Sequence, residues 1–414
     1  MLLDLNPLTQ KARFAKCAIA ASVVALVLSG CASSPSDTSV STKPQTGPVN
    51  AYRVAANAPF TPANLRGQQL VRVALLAPIN SSNAAVKEEA TTLEAAARLS
   101  LAENGDGKTV LFTEDSGATP EEATAAVRSA LNKGADFVLG PLFASGISAI
   151  APYARANDAT VFSFSTDTSE AGRGVYVLTF LPEDETERII SYAGAHNIKR
   201  LVLLLPEGRY GDRVLAAATT SARRANIAIV ATERYDNATN NTAAASAAAR
   251  RAATASAGGP RGQTAVLIPE RGPMLRSLVQ TLSVNGASTS RVRYLGTSLW
   301  NDPTTLAESR LLGGWFVAPD TSARQAFESR LLAASNRRPT RLAGMGYDAM
   351  SIIAKLAKDG DKAQITRRII ENRQGFDGVD GRFRFESGVV NRAMVINEVG
   401  GNGAKLIDAA PKGF

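Results

Sequence analysis

The sequence has little of the chemistry that enzymes and metal proteins commonly use. Its 414 residues include one histidine, His196, and two cysteines, Cys17 and Cys31. A lone histidine without cysteine or carboxylate neighbours at ligand spacing does not form a metal site. The chain also lacks a Gly-x-Ser-x-Gly elbow, a Ser-x-x-Lys pair and a phosphate-binding glycine loop after a strand. We therefore expect no metal, no cofactor and no catalytic activity.

Both cysteines lie close to the N-terminus, so we expect no disulfide in the folded domain. The net charge is +9, but the cations are scattered along the chain and are mostly arginines. Pairs such as Arg250-Arg251 and Arg367-Arg368 are typical of solvated helix faces. We therefore expect no nucleic-acid partner.

The N-terminal segment has the pattern of a secretory signal. Lys11, Arg13 and Lys16 precede an apolar stretch at 18–28, which is too short to span a bilayer. The residues Leu28-Ser29-Gly30-Cys31 that follow resemble the bacterial lipobox, whose cysteine is lipidated and becomes the first residue of the mature protein. This resemblance implies a signal peptide at 1–30 and a membrane anchor at Cys31.

Residues 31–69 contain the lipidated cysteine and a segment rich in Ser, Thr, Pro, Ala and Asn without an apolar period. This composition predicts a flexible tether. Ala32 stands where lipoproteins retained at the inner membrane of enteric bacteria have Asp, so we expect a periplasm-facing protein anchored in the outer membrane.

Short apolar runs alternate with helical segments from residue 71 onward, and the series restarts near residue 200. This alternation predicts parallel sheets built from βαβ units, hence an α/β fold of two doubly wound lobes joined by crossovers. We expect the first lobe at 70–181 plus about 300–376, and the second at 182–299 plus about 377–414. The predicted strands are 71–77, 109–112, 136–139, 159–163, 175–179, 200–205, 227–232, 264–268 and 293–296.

Two local signals predict helices. Thr119 as N-cap, Pro120 in the first turn and Glu122 at the capping-box position indicate a helix start. The segment 241–258 consists mostly of Ala, Ser, Thr and Arg, and alanine is the best helix former. The acidic run 183–185 is expected in the first turn of another helix, where it complements the macrodipole.

The order of several segments resembles type I periplasmic binding proteins of the leucine/isoleucine/valine class, over about residues 70–400. The segments are Asp136-Phe-Val-Leu-Gly-Pro-Leu142, Val161-Phe-Ser-Phe-Ser-Thr166, Tyr210-Gly211, Gly344-Met-Gly-Tyr-Asp-Ala349 and 376–385. This resemblance implies the type I periplasmic binding protein fold, with a ligand cleft between its two lobes.

Within that class, three segments most resemble lipoproteins that act as penicillin-binding protein activators: 140–142, 295–302 and 313–319. Two hypotheses follow. The first is a non-catalytic lipoprotein that regulates a peptidoglycan synthase, a penicillin-binding protein, by direct contact. The alternative is a substrate-binding lipoprotein for branched-chain amino acids, amides or a related small molecule, which serves the permease of an ABC transporter.

The resemblance also implies candidate ligand contacts. By position, Ser145, Gly146, Ser165 and Thr166 correspond to the groups that hold a ligand carboxylate, and Tyr210 to a wall of the second lobe. Ser165 and Thr166 are equally well explained as caps after a strand. Trp300 is expected mainly to pack in the core, but it follows the expected crossover and is also a candidate cleft residue.

One departure from the family pattern concerns the ligand. Amino-acid binders of the class carry an acid in the second lobe for the ligand ammonium, which by position falls near 273–274. Pro273 and Met274 stand there, and Glu270 is offset and adjacent to Arg271. A buried ammonium without a carboxylate partner is poorly tolerated. The sequence therefore argues against a zwitterionic amino-acid ligand.

Overall fold

The computed structural model describes residues 63–237, 242–357 and 361–413. The expected signal peptide, the lipidation site Cys31 and residues 31–62 of the expected tether lie outside the described residues. The described chain contains fifteen strands in two sheets. In chain order they are β1 Val71–Ala77, β2 Thr109–Asp115, β3 Phe137–Leu139, β4 Thr160–Ser163, β5 Val175–Val177, β6 Arg200–Pro206, β7 Ala228–Tyr235, β8 Thr264–Leu267, β9 Arg293–Gly296, β10 Trp315–Pro319, β11 Phe376–Gly378, β12 Gly381–Glu386, β13 Val389–Arg392, β14 Met394–Gly400 and β15 Gly403–Asp408.

The helices connect these strands as the alternating pattern predicts. They are α1 Ala84–Asn104, α2 Pro120–Asn132, α3 Ala144–Ala156, α4 Pro182–Ala195, α5 Arg209–Arg224, α6 Thr242–Ser256, α7 Gly272–Val284, α8 Pro303–Leu306, α9 Arg324–Ser335, α10 Arg341–Leu356 and α11 Arg367–Ile370. None of the helices in the described ranges is both long and apolar enough to cross a membrane.

The first sheet has eight strands in the order β11-β12-β13-β5-β4-β3-β1-β2. Strands β1 to β5 are parallel, and β13 continues this direction beside β5. Strands β12 and β11 complete the edge in antiparallel pairing. Helices connect β1 through β4 and a helix-free segment connects β4 to β5. Because these strands run parallel, the carboxyl ends of β1 to β5 meet at one edge of the sheet.

The second sheet has seven strands in the order β15-β14-β10-β9-β8-β6-β7. Strands β6 to β10 are parallel, and β14 and β15 add an antiparallel edge. The two sheets confirm the predicted architecture of two doubly wound α/β lobes. The chain crosses between them three times: after β5, after β10 and between β13 and β14.

The later crossovers differ from the sequence-based boundaries. We expected the chain to return to the first lobe near residue 300, but β10 at Trp315–Pro319 lies in the second sheet, between β9 and β14. All five of its residues are buried, which requires a central position with neighbours on both sides. Strands β11 to β13 were assigned to the second lobe beyond residue 377, yet they lie in the first sheet. Phe385 explains this, because it packs against Phe162 and Tyr176 in the core of the first lobe, and Phe383 packs against Phe385 in the same core.

The predicted capping box of α2 is present. The Thr119 hydroxyl accepts a hydrogen bond from the Glu122 amide at 3.2 Å, and the Glu122 carboxylate accepts one from the Thr119 amide at 3.0 Å. Amide donors from Ala118 and Thr119 lower the pKa of Glu122. The alanine-rich segment forms α6, whose buried alanines pack against the second sheet.

Close packing of α1 against α10 holds the first lobe's outer layer together. At Gly346 in α10, an added Cβ would lie 2.6 Å from Leu93 Cδ1 and 3.1 Å from the Leu93 carbonyl oxygen of α1. Both distances are below ordinary van der Waals contact, so a side chain at 346 would force Leu93 or α1 to shift.

We expect Gly346→Val to lower the free energy of unfolding by about 1–3 kcal/mol, because the added branches force α1 and α10 apart. Chemical denaturation of the full-length protein measures this change. Gly401→Val is the matched control, since an added Cβ at Gly401 meets no atom within 4 Å. Equal stability of the two variants would contradict the close-approach argument.

Candidate ligand cleft

The first-lobe wall of the cleft follows β3. The Gly140-Pro141 turn ends this strand, and an added Cβ at Gly140, where φ is +107°, would lie 2.3 Å from the Leu76 carbonyl oxygen. Ser145 is exposed in the first turn of α3. Gly146 is buried against Pro141, and its amide donates to the Phe143 carbonyl at 3.1 Å. Ser145 is therefore available to a ligand, whereas Gly146 serves packing.

A second loop of this wall follows β4. Ser165 is buried; its amide donates to Ser163 Oγ at 3.2 Å, and its own Oγ accepts from the Asp167 amide at 3.0 Å. The Ser165 side chain thus supports the turn. The Thr166 side chain is exposed. A hydrogen bond from the Ser169 backbone amide lowers the pKa of Asp167, so this carboxylate also stabilises the loop.

Arg213 of α5 joins the two lobes at this loop. Its guanidinium donates to the Thr166 carbonyl at 2.9 Å. The same group binds both carboxylate oxygens of Glu183, in the first turn of α4, at 2.7 Å each. A bidentate pair of this kind fixes the guanidinium plane. Glu183 therefore holds Arg213 in place for its contact with the first lobe.

The second-lobe wall contains a cavity of about 700 Å³ at the carboxyl ends of β7, β8 and β9. Arg341, the first residue of α10 in the first lobe, borders the same cavity. Four of its twelve lining residues are apolar or glycine: Gly272, Pro273, Met274 and Leu299. The other eight carry polar or charged side chains, so the cavity is mainly hydrophilic.

Glu270 is the most enclosed acid of this cavity, at 8% exposure. Its Oε2 accepts hydrogen bonds from the Tyr235 hydroxyl and from Asn237 Nδ2, both at 3.1 Å. Its Oε1 accepts from the Arg271 amide at 2.9 Å. Burial and the Glu270 carboxylate raise the pKa of Tyr235, which keeps that hydroxyl a donor.

Tyr210, the predicted second-lobe contact, lies in the first turn of α5. It is partly buried, and its hydroxyl is 3.4 Å from Thr297 Oγ1 just after β9. Burial raises the pKa of Tyr210, so its hydroxyl stays protonated. The structure therefore places Tyr210 beside the loop that follows β9, at the same sheet edge as the cavity.

Trp300 does not line the cavity. It is fully buried in the second lobe, where its indole nitrogen donates to the Ile268 carbonyl at 3.1 Å. Its ring packs against the backbone of Gly296, where an added Cβ would come within 2.1 Å of the indole. The expectation of a cleft position is wrong, because the residue precedes the real crossover by about twenty positions and belongs to the core.

The residues that connect the cleft to the crossovers were not predicted from the sequence. Glu185, in the acidic first turn of α4, is buried and accepts hydrogen bonds from the Ser298 hydroxyl and amide. Arg341 donates to Ser298 Oγ at 3.2 Å and lies 3.7 Å from Glu185. The only sequence signal was the acidic run directly after the first crossover, which macrodipole compensation alone explained equally well.

The aromatic ring of Phe180 contacts both Arg341 and a residue of the third crossover. The Arg341 guanidinium lies 4.1 Å from the ring centroid of Phe180, in the first crossover. Arg392, at the third crossover, lies 4.5 Å from the same ring. Arg392 is buried, and burial lowers its pKa. Its amide donates to the Asp184 carboxylate at 3.3 Å.

A second cavity, of about 690 Å³, lies at the opposite edge of the first sheet. Its cations are largely neutralised within the protein: Arg155 pairs with Glu170 at 2.7 Å, Lys362 with Asp136 at 2.9 Å, and Arg367 with Glu371 at 3.1 Å. It lies at the amino ends of the strands, away from the edge where ligands of doubly wound sheets bind. We therefore take the cleft cavity as the candidate site. Across the described residues, no group of three His, Cys, Asp or Glu side chains is placed to hold a metal ion.

Comparisons with known proteins agree with the fold. A family model described as periplasmic binding protein matches residues 70–404. A curated relative, an uncharacterized protein of Rickettsia prowazekii, is 25% identical over 171 residues, which is 41% of this chain. The chain matches 44% of that relative's length.

Two solved structures illustrate the structural similarity. A putative branched-chain amino acid ABC transporter from Rhodospirillum rubrum aligns with a TM-score of 0.68 at 16% identity, covering 82% of this chain and 100% of that one. A solute binding protein of an ABC transporter from Rhodopseudomonas palustris, solved in complex with 3,4-dihydroxybenzoic acid, aligns with a TM-score of 0.56 at 15% identity. That alignment covers 83% of this chain and 99% of that chain.

The buried acids near the crossovers predict a pH dependence of stability. Burial raises the pKa of Asp348 and of Asp184 to about 7 each, well above the value near 4 of an unfolded aspartate. Between about pH 4 and 7 the folded protein therefore binds more protons than the unfolded chain. Linkage then requires that these two groups lower the free energy of unfolding as the pH rises through this window.

We expect Asp348→Asn to remove the contribution of Asp348 to the pH dependence of the free energy of unfolding. The difference in free energy of unfolding between this variant and the natural protein should change between about pH 4 and 7 and stay constant outside that range. Denaturant titrations at a series of pH values measure it, with Asp377→Asn at an exposed position as control. A difference that does not vary with pH would contradict the raised pKa of Asp348.

Proposed function

Because this chain belongs to the periplasmic binding protein family, we propose that it is a solute-binding lipoprotein of the cell envelope that serves an ABC permease. The observation that carries this proposal is the cavity of about 700 Å³ at the carboxyl ends of the second sheet, bordered by Arg341 of the first lobe. A ligand in this position touches both lobes and stabilises the arrangement in which they are close.

The proposed contacts come from both lobes. In the first lobe they are the exposed side chains of Ser145 and Thr166, which follow β3 and β4. In the second lobe they are Tyr210 and the polar side chains of the cavity. Ser165 and Gly146 support these loops from behind. The relative from Rhodospirillum rubrum, described as a branched-chain amino acid transporter, shares this two-lobed architecture.

The proposal favours the second of the two hypotheses drawn from the sequence. Neither the family match nor the similar solved structures point to a penicillin-binding protein, so regulation of a peptidoglycan synthase has no further support. The anchor remains part of the proposal. Lipidation at Cys31 would hold the protein at the outer membrane, facing the periplasm, and more than one acyl chain makes such attachment stable.

We expect a small molecule to stabilise the full-length protein, purified in detergent, against thermal unfolding. At a concentration of 100 Kd the gain in free energy of unfolding is about 2.7 kcal/mol. The panel should include aliphatic amino acids, their amides, hydroxybenzoates and dicarboxylates. If no compound shifts the melting temperature, the solute-binding proposal is wrong.

Ser145→Ala should weaken binding of the compound found by about 2- to 10-fold, the loss of one hydrogen bond. Ser148→Ala is the matched control, since Ser148 is exposed one turn later on α3. Titration calorimetry gives both affinities. An equal loss in the two variants would exclude Ser145 as a ligand contact.

A further inference from the structure

The two buried acids of the cleft already have donors. Glu270 accepts three hydrogen bonds, from Tyr235, Asn237 and the Arg271 amide. Glu185 accepts two from Ser298. Burial raises the pKa of Glu185. A ligand ammonium would therefore share these carboxylates with donors that the protein itself supplies.

Asp302 is the other acid that lines the cavity, and one of its two carboxylate oxygens is engaged within the protein. Its Oδ1 accepts hydrogen bonds from the amides of Thr304 and Thr305 at 2.9 and 3.1 Å and from the Thr304 hydroxyl at 2.6 Å. This acid therefore caps α8 through Oδ1 at the rim of the cavity.

The two cations of the cavity, Arg271 and Arg341, have few hydrogen-bond partners within the protein. Arg271 lines the cavity, is exposed, and makes no side-chain hydrogen bond or ion pair among the described residues. Arg341 makes one hydrogen bond, through Nη2 to Ser298, and a 3.7 Å contact with Glu185. Its other nitrogen atoms are left for a ligand, and half of its side chain is exposed.

Arg341 is also held in one orientation. Its guanidinium lies over the Phe180 ring at 4.1 Å, and Ser298 fixes one edge of the group. A guanidinium oriented in this way loses little freedom when it binds a planar carboxylate through two parallel hydrogen bonds. An aliphatic side chain would instead meet walls that are mostly polar, and would gain little from burial there.

We propose that the ligand of this cleft is a small dicarboxylate, with one carboxylate bound by Arg341 and Arg271 and the other by the first lobe. This inference rests on the proposed solute-binding function, which supplies the first-lobe contacts Ser145 and Thr166. It assigns the second-lobe end of the cleft to an anion, and it excludes a ligand ammonium at that end. The relative from Rhodopseudomonas palustris binds 3,4-dihydroxybenzoic acid, a carboxylate without an amine.

The test compares glutarate with 5-aminopentanoate, which has the same chain length and one carboxylate but carries an ammonium at its other end. Titration calorimetry on the full-length protein in detergent should show glutarate binding at least 10-fold more tightly than either 5-aminopentanoate or L-leucine. Succinate, one methylene shorter, reports whether the spacing of the two carboxylates matters.

Arg341→Gln should weaken glutarate binding by about 10-fold or more, the loss of charge-assisted hydrogen bonds. Arg276→Gln, at an exposed position of α7 that does not line the cavity, is the control and should bind as the natural protein does. Arg341→Glu should reverse the preference, so that 5-aminopentanoate binds better than glutarate. A merely structural role of Arg341 would not produce that reversal.

The outcomes separate the two proposals. Tight binding of L-leucine or 5-aminopentanoate with weak binding of both dicarboxylates would overturn the dicarboxylate inference while leaving the solute-binding function intact. Glutarate binding that is unaffected in Arg341→Gln would likewise overturn it. Absence of binding by every compound of the wider panel would reject the solute-binding function and the inference together.

Discussion

The guanidinium of Arg392 is the group on which the arrangement of the two lobes depends. It lies between the rings of Phe180 and Phe383, at 4.5 and 5.1 Å, and its Nε donates to the Thr179 carbonyl at 3.3 Å. The first and third crossovers thereby share one buried cation. Taking a charge out of water is costly, and the two rings and the nearby acids offset only part of that cost, because Nη1 and Nη2 of Arg392 are buried without a hydrogen-bond partner. The position of one crossover consequently constrains the other.

The same constraint extends to the cleft through a single ring. Phe180 contacts Arg392 in the crossover region and Arg341 at the cavity, so a displacement of the first crossover would also displace a cavity wall. Glu185 reinforces this connection, because it belongs to α4, directly after the crossover, and binds Ser298 beside the cavity. Neighbouring residues therefore fix the geometry of the ligand site and of the lobe junction together.

Local patterns were sufficient to predict the layered architecture. The alternation of apolar runs gave the two lobes, and the Thr119 and Glu122 pair marked a helix start that the structure confirms. The pairing of strands that are distant in sequence could not be predicted. Nothing in 315–319 reveals that this strand pairs with β14, nearly eighty residues later, so the second crossover was placed too early. The same error put Trp300 near the cleft. Arg341 was missed because its partners, Phe180 and Ser298, are distant in sequence and become its neighbours only in the folded protein.

The hydrogen bond from Arg213 to the first lobe ends on the main-chain oxygen of Thr166. Any residue at position 166 supplies that oxygen, so the bond does not depend on which side chain stands there. Mutation can therefore alter the side chain presented at this loop while the attachment between the lobes persists. Selection for a new ligand acts on the side chain at position 166, whereas selection for contact between the lobes acts on its carbonyl oxygen. The side chain can therefore change without loss of that contact.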